Sequence, residues 1–216
     1  MILKAGRLAK AGRATPLALS LQLAALGGLA AENGPLPSAA SAAPDPFAYG
    51  QYEAALNAGV LFSPIGSAHN RPTINYTLTS AELGIMLNRP KGDGWWHGNF
   101  EALGEGFGSA IFDGPGNYIA GATLWLRYNF VPRKHPRLVP YVQGGGGITF
   151  TDIDRDFVGQ AFNFNLDLGC GLRYFIADHW SLSLEYRYQH ISNANLGQHN
   201  IGINSQGPIL GVSYFF

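Results

Sequence analysis

Cysteine is almost absent: Cys170 is the only one in 216 residues, so no intrachain disulfide can form. It lies in an apolar run and reads as a packing residue. Charge is scarce as well, at 13% of the chain, against about 25% for an ordinary soluble domain. Neither sign dominates, because Lys+Arg and Asp+Glu both number 14, which leaves no basic excess for a nucleic-acid partner. Beyond the first 31 residues no run of about 18 apolar residues occurs, which excludes a transmembrane helix. His, Cys, Asp and Glu form no cluster with metal-ligand spacing. The glycine run 144–147 does not open a helix as a phosphate loop does, and it reads as close strand packing. No metal and no cofactor are expected.

Glycine (29) and aromatics (12%) are plentiful instead, a composition that suits many strands and tight turns. Residues 1–31 carry an export pattern. Lys4, Arg7, Lys10 and Arg13 precede an apolar run over 16–30, and small residues at Ala30 and Ala31 suit cleavage. Residues 32–50, rich in Ala, Pro and Ser, read as a flexible spacer, leaving 51–216 for the folded domain.

That domain repeats a two-residue period. In 165–176 the even positions are Leu166, Leu168, Cys170, Leu172, Tyr174 and Ile176, while the odd ones include Asp167 and Arg173. In 181–192 Leu182, Leu184, Tyr186, Tyr188 and His190 alternate with Ser183, Glu185, Arg187 and Gln189. In 208–216 Leu210, Val212, Tyr214 and Phe216 alternate with Gly211 and Ser213. Successive residues of a strand face opposite ways, so each segment has one apolar and one polar face. A soluble sandwich would turn the polar face to water, and a membrane barrel would turn it to the lumen. Segment length favours the barrel, since soluble strands average roughly 5–6 residues. The aromatic ending Tyr214-Phe215-Phe216 also resembles the assembly signal of outer-membrane barrels.

Further strands are expected at 54–64, 73–87, 95–107, 117–130 and 139–150. The predicted fold is therefore all-β: an eight-stranded antiparallel up-and-down transmembrane β-barrel, an even number that closes without a free edge. A barrel of this size is filled by its own side chains, which disfavours a porin. Asp167, Arg173, Glu185 and Arg187 are expected to pair inside it. With both termini periplasmic, 88–94, 131–137 and 177–179 become periplasmic turns. The segments 65–72, 108–116, 151–161 and 193–202 become extracellular loops.

One segment carries chemistry. His190 and Ser192, spaced i and i+2, share the even, lipid-directed face at the extracellular end of their strand. A histidine next to a serine can serve as base and nucleophile. The same residues could instead be ordinary polar groups at headgroup level.

The segment YRYQHISNAN, followed by a short loop and an aromatic-ended strand, resembles the outer-membrane lipid A 3-O-deacylase (acyloxyacyl hydrolase-like) family. The resemblance is most specific over 167–216. It implies that His190 is the base and Ser192 the nucleophile, with no cofactor. It also implies that the backbone amide of Asn193 helps form the oxyanion hole. The family's acid, a Glu on the last strand, has no counterpart here: the gap-free position is Asn204. An amide can orient an imidazole but cannot offset its positive charge. Glu185 has the wrong parity, and His199 in the loop is an outside alternative to Asn204.

The expected activity is therefore removal of the 3-O-linked acyl chain of lipid A by a Ser/His mechanism on the barrel exterior. The expected partner is lipid A or lipopolysaccharide in the outer leaflet. The alternatives are an outer-membrane phospholipase and a non-enzymatic structural or adhesion barrel. A homodimer is left open.

Overall fold

The structure is a computed structural model that describes residues 45–63, 73–133, 137–197 and 199–216. The export segment 1–31, most of the spacer and the loop 65–72, apart from its neighbours, lie outside the described residues. Eight strands form a closed barrel in chain order, each antiparallel to the next, and β1 pairs with β8. They are β1 (Tyr52–Leu61), β2 (Asn75–Met86), β3 (Gly98–Asp113), β4 (Tyr118–Phe130), β5 (Leu138–Thr151), β6 (Phe162–Phe175), β7 (Trp180–Ser192) and β8 (Ile203–Phe215). The expected fold class is the observed one.

Most strand ends shift by a few residues from expectation, and the regions around β3 and β8 are the informative ones. Trp95 and Trp96 belong to a 3-10 turn, Gly94–Trp96, because Gly92 and Gly94 take positive φ just before it and turn the chain. Strand β3 then runs on to Asp113, through residues expected to be loop. Strand β8 spans Ile203–Phe215, so it starts right after the expected loop and Pro208, where the clear alternation begins, lies within it. Proline has no N–H to give. The β1–β8 ladder accordingly stops at Gly59↔Ile209 and resumes with the Phe62↔Gln206 bridge.

Parity holds around the barrel. Leu56, Leu83, Leu124, Leu166, Leu184 and Leu210 are exposed on the outside, an apolar wall for lipid. Cys170 is on this wall too, exposed rather than packed in a core. Inside, charged and polar side chains fill the middle of the lumen. Arg127 contacts Glu53, Glu82 and Glu101, Arg173 contacts Glu53, and Arg187 contacts Glu105 and Glu185. Asp167 departs from the expected pairing: it is hydrogen-bonded by Asn165 and Thr123 instead of an arginine.

Apolar plugs close both ends of this polar middle. At the end carrying the termini, Phe47, Met86, Val131, Val139, Phe175 and Phe215 cluster, and Phe47 comes from the residues just before β1. At the opposite rim, Leu61, Tyr76, Phe107, Ile191 and Ile203 pack with Ile153 and Val158 of the β5–β6 loop. The one-turn helix α1 (Arg155–Val158) lies in that loop, which is joined to the β7–β8 loop at the rim.

Candidate active site

The β7–β8 ladder sets the site. Its register pairs His190 with Asn204 and Tyr188 with Gln206, all on the outer face. On the other side of β7, Leu166 is opposite His190 and Phe164 is opposite Ser192. An aromatic rim runs from β3 to β6 through Phe112, Tyr118, Phe150, Phe162 and Phe164. At the same height β7 and β8 carry His190, Ser192, Asn204 and Gln206 instead. These four are half-buried and polar, on the wall that elsewhere meets lipid.

Two sequence-chosen residues meet directly. His190 Nδ1 lies 2.6 Å from Asn204 Oδ1. A carbonyl oxygen only accepts, so this contact places the proton on Nδ1 and leaves Nε2 as the basic nitrogen. His199 makes no such approach. Its side chain is exposed, and only its backbone carbonyl joins the network, accepting from Asn193 Nδ2 at 2.7 Å. Glu185 points into the lumen, as its parity required, and accepts from Tyr141 and Gln143 there.

Ser192 follows His190 by two residues on the outer face of β7, and the returning loop passes over both. Gly202, at φ +72°, lies against both: a Cβ there would be 3.2 Å from His190 Cε1 and 3.7 Å from Ser192 Cβ. The ring edge between the two nitrogens and the serine therefore border one small volume, which only a residue without a side chain leaves open.

Asn193 plays a larger part than its motif position suggested. It is fully buried, and its side chain donates to Val158 O at 3.0 Å and to His199 O. Its Oδ1 accepts from Asn195 N at 2.9 Å. Its backbone N–H donates to Asn200 Oδ1 at 3.1 Å. Asn193 thus ties the loop after β7 both to itself and to the α1 loop, and Ile201 N→Phe157 O at 3.1 Å adds a second tie. The turn that follows, Ala194 and Asn195, has positive φ at two successive non-glycine residues. Such a conformation costs about 1–3 kcal/mol per residue and persists only where its surroundings hold it.

Sequence reasoning did not single out three contributors: Tyr188, Gly202 and the α1 loop. Tyr188 Oη donates to Asn204 Oδ1 at 3.0 Å, so that oxygen receives two donors from β7. The only available signal was its shared parity with His190. Among the described residues no group of three or more His, Cys, Asp or Glu could hold a metal ion.

Comparison with known proteins bears on what this arrangement does. A family model described as Lipid A 3-O-deacylase (PagL) matches residues 66–213, more than half of the chain. No curated protein sequence matches. A crystal structure of the outer membrane enzyme PagL superposes with a TM-score of 0.53 at 17% identity, over 72% of this chain and 97% of that one. The crystal structure of Neisserial surface protein A (NspA) gives 0.54 at 14% identity, over 77% and 97%. At these identities both likenesses concern the fold alone.

Proposed function

This chain belongs to the lipid A 3-O-deacylase (PagL) family of outer-membrane ester hydrolases, and we propose that Ser192 and His190 carry its reaction on the outer wall of the barrel. The substrate in this reading is lipid A of the outer leaflet, cleaved at its 3-O-linked acyl ester. The observation that carries it is the His190–Asn204 contact, which leaves Nε2 as the basic nitrogen on the outer face that also carries Ser192.

The chemistry follows from those positions. Ser192 Oγ attacks the acyl carbonyl while its proton passes to His190 Nε2. Collapse of the tetrahedral intermediate breaks the bond to the sugar oxygen, which takes the proton back from the imidazolium. Water, deprotonated by His190, then attacks the acyl-serine and releases the fatty acid. Asn204 holds the ring in the useful tautomer throughout. As a neutral amide it gives the imidazolium less electrostatic support than a carboxylate would. We assign oxyanion stabilisation to the Asn193 amide in the substrate complex. The acyl oxygen must then take the place of Asn200 Oδ1, the acceptor of that amide in the free protein.

Mass spectrometry of lipid A from cells with and without the protein tests the reading. The wild type should remove one ester-linked acyl chain from the 3-position. Ser192→Ala and His190→Ala should each lower the rate by at least about 10⁴-fold, since the pair acts as a unit. Folding is monitored by heat-modifiable migration on gels. Retained cleavage in Ser192→Ala would overturn the nucleophile. Fatty acid released from phospholipid, with lipid A untouched, would make the protein a phospholipase instead.

A further inference from the structure

Tyr188 and His190 stand two residues apart on the outer face of β7, and both reach the single carbonyl oxygen of Asn204 on β8. The distances are 3.0 Å from Tyr188 Oη and 2.6 Å from His190 Nδ1. A tyrosine on a barrel wall ordinarily anchors the chain at the membrane interface and turns its hydroxyl toward headgroups and water. Here the hydroxyl is directed sideways, into the proposed site.

The need for it comes from the chemistry of an amide. A carboxylate at position 204 would have two equivalent oxygens and could accept from Nδ1 either way round. An asparagine has two unlike ends. Turned over, it would present Nδ2 to the imidazole, Nδ1 would have to accept, and the ring proton would move to Nε2. Such a histidine cannot take a proton from Ser192. A triad built on asparagine therefore needs something to fix the amide's orientation. A phenol suits that task, because its hydroxyl is a strong donor and its oxygen, conjugated with the ring, is a weak acceptor. A donor set beside the imidazole favours the orientation in which Oδ1 faces both.

We propose that Tyr188 is a positioning residue that fixes the Asn204 amide, and through it the tautomer of His190, in place of an acidic triad member. It touches neither the ester nor the nucleophile. Its effect on rate rests on the Ser192/His190 reading, while its effect on the imidazole does not.

The test is a double-mutant cycle combined with ¹⁵N NMR of the histidine ring in the detergent-solubilised barrel. Tyr188→Phe keeps the ring and removes only the hydroxyl. It should lower kcat by about tenfold, the usual worth of one hydrogen bond, with KM little changed. It should also move part of the His190 population from Nδ1–H to Nε2–H. In an Asn204→Asp background, where the acceptor has two equivalent oxygens, the same substitution should change kcat by less than about twofold. An unchanged tautomer in Tyr188→Phe would overturn the proposal, whatever the activities. So would an equal loss of kcat in both backgrounds, which would mean packing, or a rise in KM alone, which would mean substrate contact. If the tautomer shifts while Ser192→Ala remains active, the nucleophile assignment fails and the positioning role stands.

Discussion

Strand β7 carries two sets of polar side chains on opposite faces, and their surroundings differ sharply. Inward, Glu185 accepts from Tyr141 Oη, Gln143 Nε2 and Arg187 Nε at 2.8–3.0 Å, and Arg187 reaches Glu105 at 2.7 Å. Both residues are buried, and charge-assisted hydrogen bonds offset the cost of taking them out of water. Outward, Tyr188, His190 and Ser192 are half-exposed on a wall built for lipid. Tyr188 and His190 both reach one amide on β8, that of Asn204. The inner set ties strands together across the lumen, whereas the outer set is the one proposed to carry the chemistry.

The sharpest way to break that contrast is to remove a member of the inner set. Arg187→Met takes away the cation that lies between Glu105 and Glu185, with Glu82 3.6 Å from its guanidinium. Three buried carboxylates would then face one another, at a cost of about 3–5 kcal/mol in urea unfolding from detergent or lipid. Ser192→Ala in the same assay should stay within about 0.5 kcal/mol of wild type, as an outward substitution does. Comparable losses in the two variants would mean that the faces do not divide stability from function.

The same contrast explains what could be read from the sequence. Strands β6 and β7 were legible because their outward residues are greasy and their inward residues polar, so a period of two is plain. The first residues of β8 gave no alternation of their own, and only the loop limit at 202 and the resemblance put Asn204 at the start of the strand. Asn204 and Gln206 face outward where an apolar residue would mark a strand, and a proline follows at 208. The residues of the candidate site are the ones that interrupt the pattern. The far end of β3 was lost for a different reason: Gly106, Gly108 and Ala110 face outward, and small residues give no amphipathic signal. Of the candidate site, the spacing of His190 and Ser192 could be read from the sequence, while Asn204 was reached only through the family resemblance. The contacts made by Tyr188, Gly202 and the α1 loop depend on side-chain reach and loop return, which no local pattern encodes.

A smaller effect sharpens the comparison by separating the site from the barrel that bears it. Gly159 takes φ +72°, and a Cβ there would be 2.3 Å from His199 O and 2.5 Å from Asn193 Nδ2. Gly159→Ala should therefore push the α1 loop off the β7–β8 loop and disturb the buried Asn193. A displacement of about 1 Å at Ser192 or its loop lowers turnover by about a hundredfold. The unfolding midpoint of the barrel should hardly move, since no strand ladder is touched. A large fall in that midpoint would show that the rim loops carry part of the fold's stability.

The smallest effect concerns an acid that belongs to neither set. Asp152, just past β5, is fully exposed, and among the described residues no arginine pairs with it. Its carboxylate accepts from Asn117 Nδ2 at 2.7 Å and from the backbone amides of Asn117 and Tyr118 at 2.8 and 3.0 Å. These bonds, the Asn117 side chain's first among them, stabilise the charged form and lower its pKa from the usual 3.8 to about 2. The sign follows from linkage. A depressed folded-state pKa gives stability that is complete above the unfolded value near 4 and is lost as pH falls through about 2. At neutral pH the joint between the two loops is therefore intact, and Asp152→Asn should leave both global unfolding and deacylation near wild type. Below pH 4 the amide proton shifts of Asn117 and Tyr118 should titrate with a midpoint of about 2 in the wild type and stay flat in Asp152→Asn. A midpoint near 4 would mean that the three bonds do not hold the carboxylate in solution. In the lumen, by contrast, the glutamates are held by arginines, and losing one cation threatens the whole barrel. Here neutral donors hold an acid at the rim, and the consequence of losing them stays within one loop joint.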